Sequence, residues 1–263
     1  MAGNSETDPT PAGRSALRVT GLSWAGATTA ALEQVSFDVA AGEVITLVAP
    51  DRSAVAALLH LLSGIAVPGT GTIELDGVDV TAEPAYRRAR RGLARGYPVR
   101  PLWADMTAEE QVRLAVQVAQ ETAWSPWRRE PGHEAAVERL LDRAGLTDQA
   151  GAPSSLLSPG ETRRLELAML LADDPKIALL GEPLEGVPEA EAAEVTALIR
   201  ALSDEDGRTV LMTAPPDSAG PLEALSDRVI VLPRQAAGCG ARAGEGVATP
   251  ASGPSPSARG LGN

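Results

Sequence analysis

The stretch "LVAPDRSAVAALLHLLSG", residues 47–64, decides how the chain is read. A β-rich run, Val44 to Val48, stops at a short turn, and a helical run begins near Ser53. Strand, turn and helix in that order form the frame in which backbone N–H groups and a helix N-terminus hold phosphate. The pattern for such a turn is G-x-x-x-x-G-K-[ST]. Here its defining positions read Ala49, Ala54, Val55 and Ala56, with Arg52 inside the turn. The frame is kept, and the residue types that grip phosphate are not.

Working outward, the chain has 263 residues, 44% of them hydrophobic and 22% charged, which predicts a soluble globular protein with a sizeable core. Four Trp, two Tyr and one Phe leave aliphatic and alanine side chains to fill that core. A net charge of −12 argues against nonspecific binding to nucleic acid or anionic lipid. The single cysteine, Cys239, excludes an intrachain disulfide and fits a reducing compartment. The start, MAGNSETDPTPAG, lacks the charged-then-apolar layout of a secretion signal. The longest nearly apolar run, Ala54 to Val67, contains His60, Ser63 and Gly64 and is too short to span a bilayer. Any membrane link is therefore expected to come through a partner. Lys176 is the only lysine, so no other lysine is available as a displaced phosphate clamp.

The pattern along the chain alternates. Residues 1–15 and the Gly/Ala/Pro/Ser-rich tail, 234–263, are expected to be disordered, because they carry too few large apolar residues to order themselves. Strands are predicted at Leu17–Val19 and Val35–Val39, with a turn around Ala25–Ala27, then at Val44–Val48. The apolar helix 54–63 follows, and Thr72–Leu75 with the turn Asp76-Gly77 predicts a hairpin edge. Helical periods occupy 107–122, 133–144 and 160–172, two of them opened by capping boxes, Thr107 with Glu110 and Ser158 with Glu161. Two strand–helix pairs come next, Ile177–Leu180 with 188–203 and Thr209–Thr213 with 220–226, and a last strand at Arg228–Leu232. Strands alternating with helices predict a parallel α/β sheet, and the strand-poor block from about 100 to 172 predicts an inserted helical subdomain.

With these segments in place the chain resembles the ATP-binding subunit of ABC transporters over about residues 16–233. The resemblance is carried by "ALEQVSFDVAAGEVITLVAP", "LLSGIAVPGTGTIELDGVDVT", "LSPGETRRLELAMLLADDPKIALLGEP" and "GRTVLMTAPP...LSDRVIVL". "RRGLARGYPVRPLWADMTAEEQV" is most similar to the branched-chain amino-acid importer branch. The fold this implies is a P-loop NTPase-like α/β core with an inserted helical subdomain and an antiparallel β edge.

The resemblance also assigns positions. Arg52 and Ala54 stand where the family has glycines, Val55 where it has the phosphate lysine, and Ala56 where it has the magnesium hydroxyl. Gly181 stands at the magnesium-ordering aspartate, Pro98 at the metal-sensing glutamine, and Pro215 at the switch histidine. Glu182 keeps the position that polarises the attacking water. Leu157, Ser158, Pro159, Gly160 and Glu161 match the signature L-S-G-G-Q, with a free helix N-terminus facing an anion on one reading and a plain capped helix on the other. Pro159 removes one N–H donor, and Glu161 adds negative charge where the family has a neutral glutamine. Arg52 reads either as a phosphate contact or as a solvated arginine, and Trp24 either as an adenine platform or as sheet-edge packing. His60 and His133 read as core or surface residues, and "YRRARRGLAR" as a solvated basic face rather than a nucleic-acid site. Trp124 and Trp127 in "WSPWRRE" read as a partner-facing patch or a local core.

In the family two subunits meet head to tail, and each ATP lies between one phosphate loop and the other subunit's signature helix. The resemblance then implies a noncatalytic subunit that binds no cofactor firmly by itself and no metal. It would share Mg-ATP at an interface with another ABC ATP-binding subunit, in a hetero- or homodimer, and dock on a membrane permease from the cytoplasmic side. Two alternatives stand beside it: a working ATPase with an atypical loop, and a free-standing scaffold built on the same fold.

Overall fold

The computed structural model describes residues 15–25, 31–49, 52–96, 102–120, 131–216 and 219–232. The chain begins with two long strands, β1 (Ser15–Ala25) and β2 (Ala31–Ala40), paired antiparallel. With β4 (Thr70–Leu75) and the short β5 (Val78–Asp79) they form a four-stranded antiparallel sheet in the order β2-β1-β4-β5. Both long strands exceed the spans that the alternating apolar pattern predicts. The pairing is irregular between Val19 and Trp24, and Gln34 opposite takes φ +53°, so alternation slips by one residue and the sequence signal breaks while the pairing continues. Gly71 lets β4 approach this bulge, since a Cβ there would lie 2.5 Å from the Gly21 carbonyl. Trp24 is partly buried against this core, in register with Leu32, which is the packing alternative of the sequence reading.

The second sheet is parallel, with five strands in the order β6-β7-β8-β3-β9. They are β3 (Val44–Val48), β6 (Leu93–Gly96), β7 (Ile177–Gly181), β8 (Thr209–Ala214) and β9 (Arg228–Val231). The three central strands are buried throughout, and their side chains alternate between two cores. Ile45, Leu47, Ile177, Leu179 and Leu211 face the antiparallel sheet and α1 (Arg52–Leu62). Val44, Val48, Ala178, Leu180, Val210 and Met212 face the remaining helices.

Those helices include α3 (Ala108–Ala119), α4 (Pro131–Arg143), α5 (Pro159–Leu171), α6 (Glu189–Asp204) and α7 (Gly220–Leu225), and the first three form the strand-poor block. Both predicted capping boxes are present: Thr107 Oγ1 accepts from Glu110 N at 3.2 Å, and Ser158 Oγ accepts from Glu161 N at 3.2 Å. Among the described residues no helix is long and apolar enough to cross a membrane. The predicted turn at 25–27, both chain ends, Pro98, Trp124, Trp127 and Cys239 lie largely or wholly outside the described residues.

The basic run needs a correction. It contains α2 (Ala85–Arg90) and leads into β6, and one of its arginines is not solvated. Arg88 is fully buried. It donates to the Leu61 and Leu62 carbonyls at 2.6 and 2.8 Å, and to those of Thr81 and Glu83 at 3.0 Å each. The last turn of α1 ends with carbonyls that have no intrahelical partner, and this guanidinium supplies the donors. Burial pulls the Arg88 pKa below its ordinary value, while Glu83 and Asp79 oppose the shift. Its neighbours Arg87, Arg90 and Arg91 are exposed, as the run's polarity predicts.

Candidate functional site

The carboxyl ends of β3, β7 and β8 lie side by side, and the order of the sheet reverses around β3. Open α/β sheets place their ligand crevices at such an edge. Ala49, which follows β3, is buried. In the first turn of α1, Ala54 and Val55 point into the core between α1 and the antiparallel sheet, while Ala56 is exposed. Val55 is therefore a core residue at the position the resemblance gives to a phosphate lysine.

Arg52 opens α1 and reaches across to the end of β7. Its guanidinium pairs with Glu182 at 3.1 Å and with Glu185 at 2.8 Å. Glu182 is 14% exposed and takes φ +43°, a left-handed backbone in which its N–H donates to Thr213 Oγ1 at 3.1 Å. Gly181 ends β7 opposite Thr213. Pro215 follows β8 and helps line a cavity of about 250 Å³ with Arg52, Glu182, Glu185, Thr213 and Leu222. Arg52 is thus exposed and ion-paired at once, and it ties the start of α1 to the segment that follows β7.

The signature segment lies at the start of α5. Ser158 is its N-cap, Pro159 its first residue, and the Glu161 carboxylate accepts from the Ser158 N–H at 2.8 Å. Leu157 packs on the helical core. A further carboxylate arrives from α6. Glu191 Oε2 accepts from Ser158 Oγ at 2.7 Å and from Gly160 N at 2.6 Å. A Cβ on residue 160 would overlap this carboxylate, so Gly160 supplies the space it occupies. Glu191 was not among the residues singled out in the sequence. Its only signal there is the acid-rich helix start "VPEAE", which reads equally as ordinary helix-dipole compensation.

Between the core and the helical block runs an apolar groove of about 840 Å³, lined among others by Ile65, Trp103, Met106, Leu114, Val118 and Met169. Ile65, Trp103 and Val118 are 51%, 53% and 64% exposed, so the groove presents large apolar side chains to solvent. Sequence reasoning placed its tryptophan patch at Trp124 and Trp127 and passed over Trp103. Of the two histidines, His133 is buried and His60 is half-buried, with its pKa held below the ordinary value by burial and by Arg95. Neither lines the cavity beside Glu182.

A cassette of this kind, with a core on each face of its parallel sheet, a strand-edge crevice and a capped signature helix, is an α/β P-loop NTPase-type fold. Its solved counterparts include an ATP-binding cassette of an ABC transporter in its ADP conformation, at TM-score 0.73 and 20% identity over 83% of this chain and 87% of that one. The family model for ABC transporters matches residues 32–185. An ABC transporter ATP-binding protein of Rhizobium meliloti (strain 1021) is 34% identical over 68% of this chain and 63% of its own length. The sulfate/thiosulfate import ATP-binding protein of Mycobacterium bovis is 33% identical over 77% of this chain and 54% of that protein. A high-affinity branched-chain amino acid transport ATP-binding protein of Pseudomonas aeruginosa is 28% identical over 83% of this chain and 88% of that one. The chain belongs to the ABC transporter family, as a homologue of its ATP-binding proteins. It spans 63% and 62% of the length of two of the curated relatives it matches.

Proposed function

We propose that this chain is a noncatalytic ABC-type subunit that completes an active partner's ATP site through Ser158 and Gly160 and docks on a permease. The observation that carries this reading is the Arg52–Glu182 ion pair. The carboxylate at the water-polarising position is engaged by the chain's own cation, beside a turn with neither the family's lysine nor its magnesium hydroxyl and a β7 end, Gly181, with no carboxylate.

The residues present do not fit a magnesium triphosphate of the chain's own. Val55 is packed in the core, Ala56 has no side-chain oxygen, and Gly181 has no side chain. A hydrogen bond to a charged group contributes roughly 1.5–3 kcal/mol. Losing the lysine, the metal ligand and part of the N–H cradle costs about 5 kcal/mol, or about three to four decades of affinity. No hydrolytic step is derived through such a site.

The signature helix keeps its donors, a serine hydroxyl and the Gly160 N–H at a helix N-terminus, and these suit a phosphate presented by another subunit. The groove around Trp103 and Val118 supports docking of an apolar permease segment. The resemblance to the branched-chain amino-acid importer branch makes an importer permease of that type the first partner to examine.

The test is co-purification with a candidate active subunit, followed by ATPase measurement with wild-type chain and with Ser158→Ala. The expected result is a complex whose turnover falls on substitution. Absence of a complex, or turnover indifferent to Ser158, would falsify the reading.

A further inference from the structure

We infer that Glu191 is an internal stop on the signature helix. Its carboxylate takes the anion position at the α5 N-terminus, and must swing out before a phosphate held by a partner subunit is gripped there. The inference rests on the complementing role proposed above and adds a regulatory contact to the same site.

One oxygen, Oε2, accepts from both Ser158 Oγ at 2.7 Å and Gly160 N at 2.6 Å. These are the two donors that the complementing role requires. Two anions cannot share them, because like charges at contact distance repel and each donor proton is already committed. Pro159 carries no N–H, so the first turn holds no spare donor between them.

The contact comes from a different element and is not helix capping in the ordinary sense. The capping box of α5 serves the Ser158 and Glu161 N–H groups, at 2.8 and 3.2 Å, and leaves the Gly160 N–H to the carboxylate that arrives from α6. Glu191 instead stands in the first turn of α6, where its charge also meets that helix's positive end. Its carboxylate is thereby shared between two helix N-termini. Gly160 accommodates it because a Cβ would collide with the carboxylate and with Glu191 Cβ.

Release needs only a side-chain rotation. The helices themselves remain tied one turn further on by Arg164 and Glu194, 2.9 Å apart. The stop therefore opens without moving α6 away from α5, and the freed donors keep their positions.

Two measurements test this. In the isolated chain, the ¹⁵N–¹H signal of Gly160 reports the hydrogen bond to Glu191. A large shift of that signal in Glu191→Ala, and a smaller one in the isosteric Glu191→Gln, is expected. An unmoved Gly160 signal in both variants overturns the stop. In the complex with the co-purifying active subunit, association is measured with and without Mg-ATP. Glu191→Ala is expected to tighten the ATP-dependent association about tenfold, Glu191→Gln by less, and added Ser158→Ala to cancel the gain. Equal or weaker association of Glu191→Ala, with Ser158→Ala still weakening the wild type, overturns the stop alone. No ATP-dependent association in any form overturns the complementing role, and the stop with it. Should the alanine variant fold poorly, Glu191→Gln, which keeps the side-chain volume, decides the question in both assays.

Discussion

Arg52 and Arg88 occupy opposite ends of α1 and carry opposite energetic weight. Arg52 is 60% exposed and pairs with Glu182 and Glu185 in solvent-screened surroundings. Exposed ion pairs contribute little, so Arg52→Ala is expected to lower unfolding stability by no more than ~1 kcal/mol. Urea unfolding checks this, and the wild-type advantage should shrink in high salt. Arg88 is fully buried and serves four carbonyls. Arg88→Met removes a buried donor from four carbonyls, of which, among the described residues, Leu61 alone keeps a second donor, the Gly64 N–H at 3.2 Å, and is expected to cost about 3 kcal/mol or more. Its urea midpoint should fall with little change in slope. Arg88→Lys should recover only part, because one ammonium cannot span the spread of a guanidinium fork. The sequence made Arg52 visible, since a motif position named it. It hid Arg88, because burial of one arginine among the five of its run leaves no mark on composition or period.

At the scale of elements, legibility follows from how many residues repeat a signal. α3 and α5 were readable to within two or three residues because an apolar period and a capping box agree in each. Thr107→Ala is accordingly expected to cost about 1 kcal/mol, measured by the urea midpoint. β6 was missed and α2 was read only as a basic run at helical spacing, without bounds, for the complementary reason. "AYRRAR" and "LARG" are short and polar, and they are fixed by tertiary contacts: Arg88 under α1, and the β6 pairing with β7. The loop after α6 is similar. Asp206 there accepts from Arg143 of α4 and from Arg208, at 2.8 and 2.9 Å. Burial raises its pKa, but those two arginines outweigh burial and hold it below the ordinary 3.8. A carboxyl depressed in the folded state stabilises above its unfolded pKa, and that stabilisation is lost as pH falls through the folded value. Asp206→Asn should therefore be less stable than wild type at pH 7, and the two urea midpoints should draw together as the pH falls below the ordinary carboxylate range.

Across the whole molecule, the parallel α/β sheet was legible because β3, β7 and β8 are largely apolar runs, broken by threonines in β3 and β8, that alternate with helical segments. The interaction surfaces were not, since they arise where separate segments meet. The groove joins Ile65 after α1, Trp103 before α3 and Met169 in α5, residues more than a hundred positions apart at the extremes. Val118 on its rim is 64% exposed, so replacing it removes little buried area from the folded chain. If a permease segment covers that rim, the cost of a charge there appears only in the complex. Val118→Asp is expected to shift the urea midpoint by no more than ~0.5 kcal/mol equivalent. The same variant should lower recovery of the permease complex at least tenfold, because burying an unpaired carboxylate opposes docking. A variant that docks as well as wild type would place the permease contact elsewhere, and loss of both folding and docking would mean that Val118 packs within this chain.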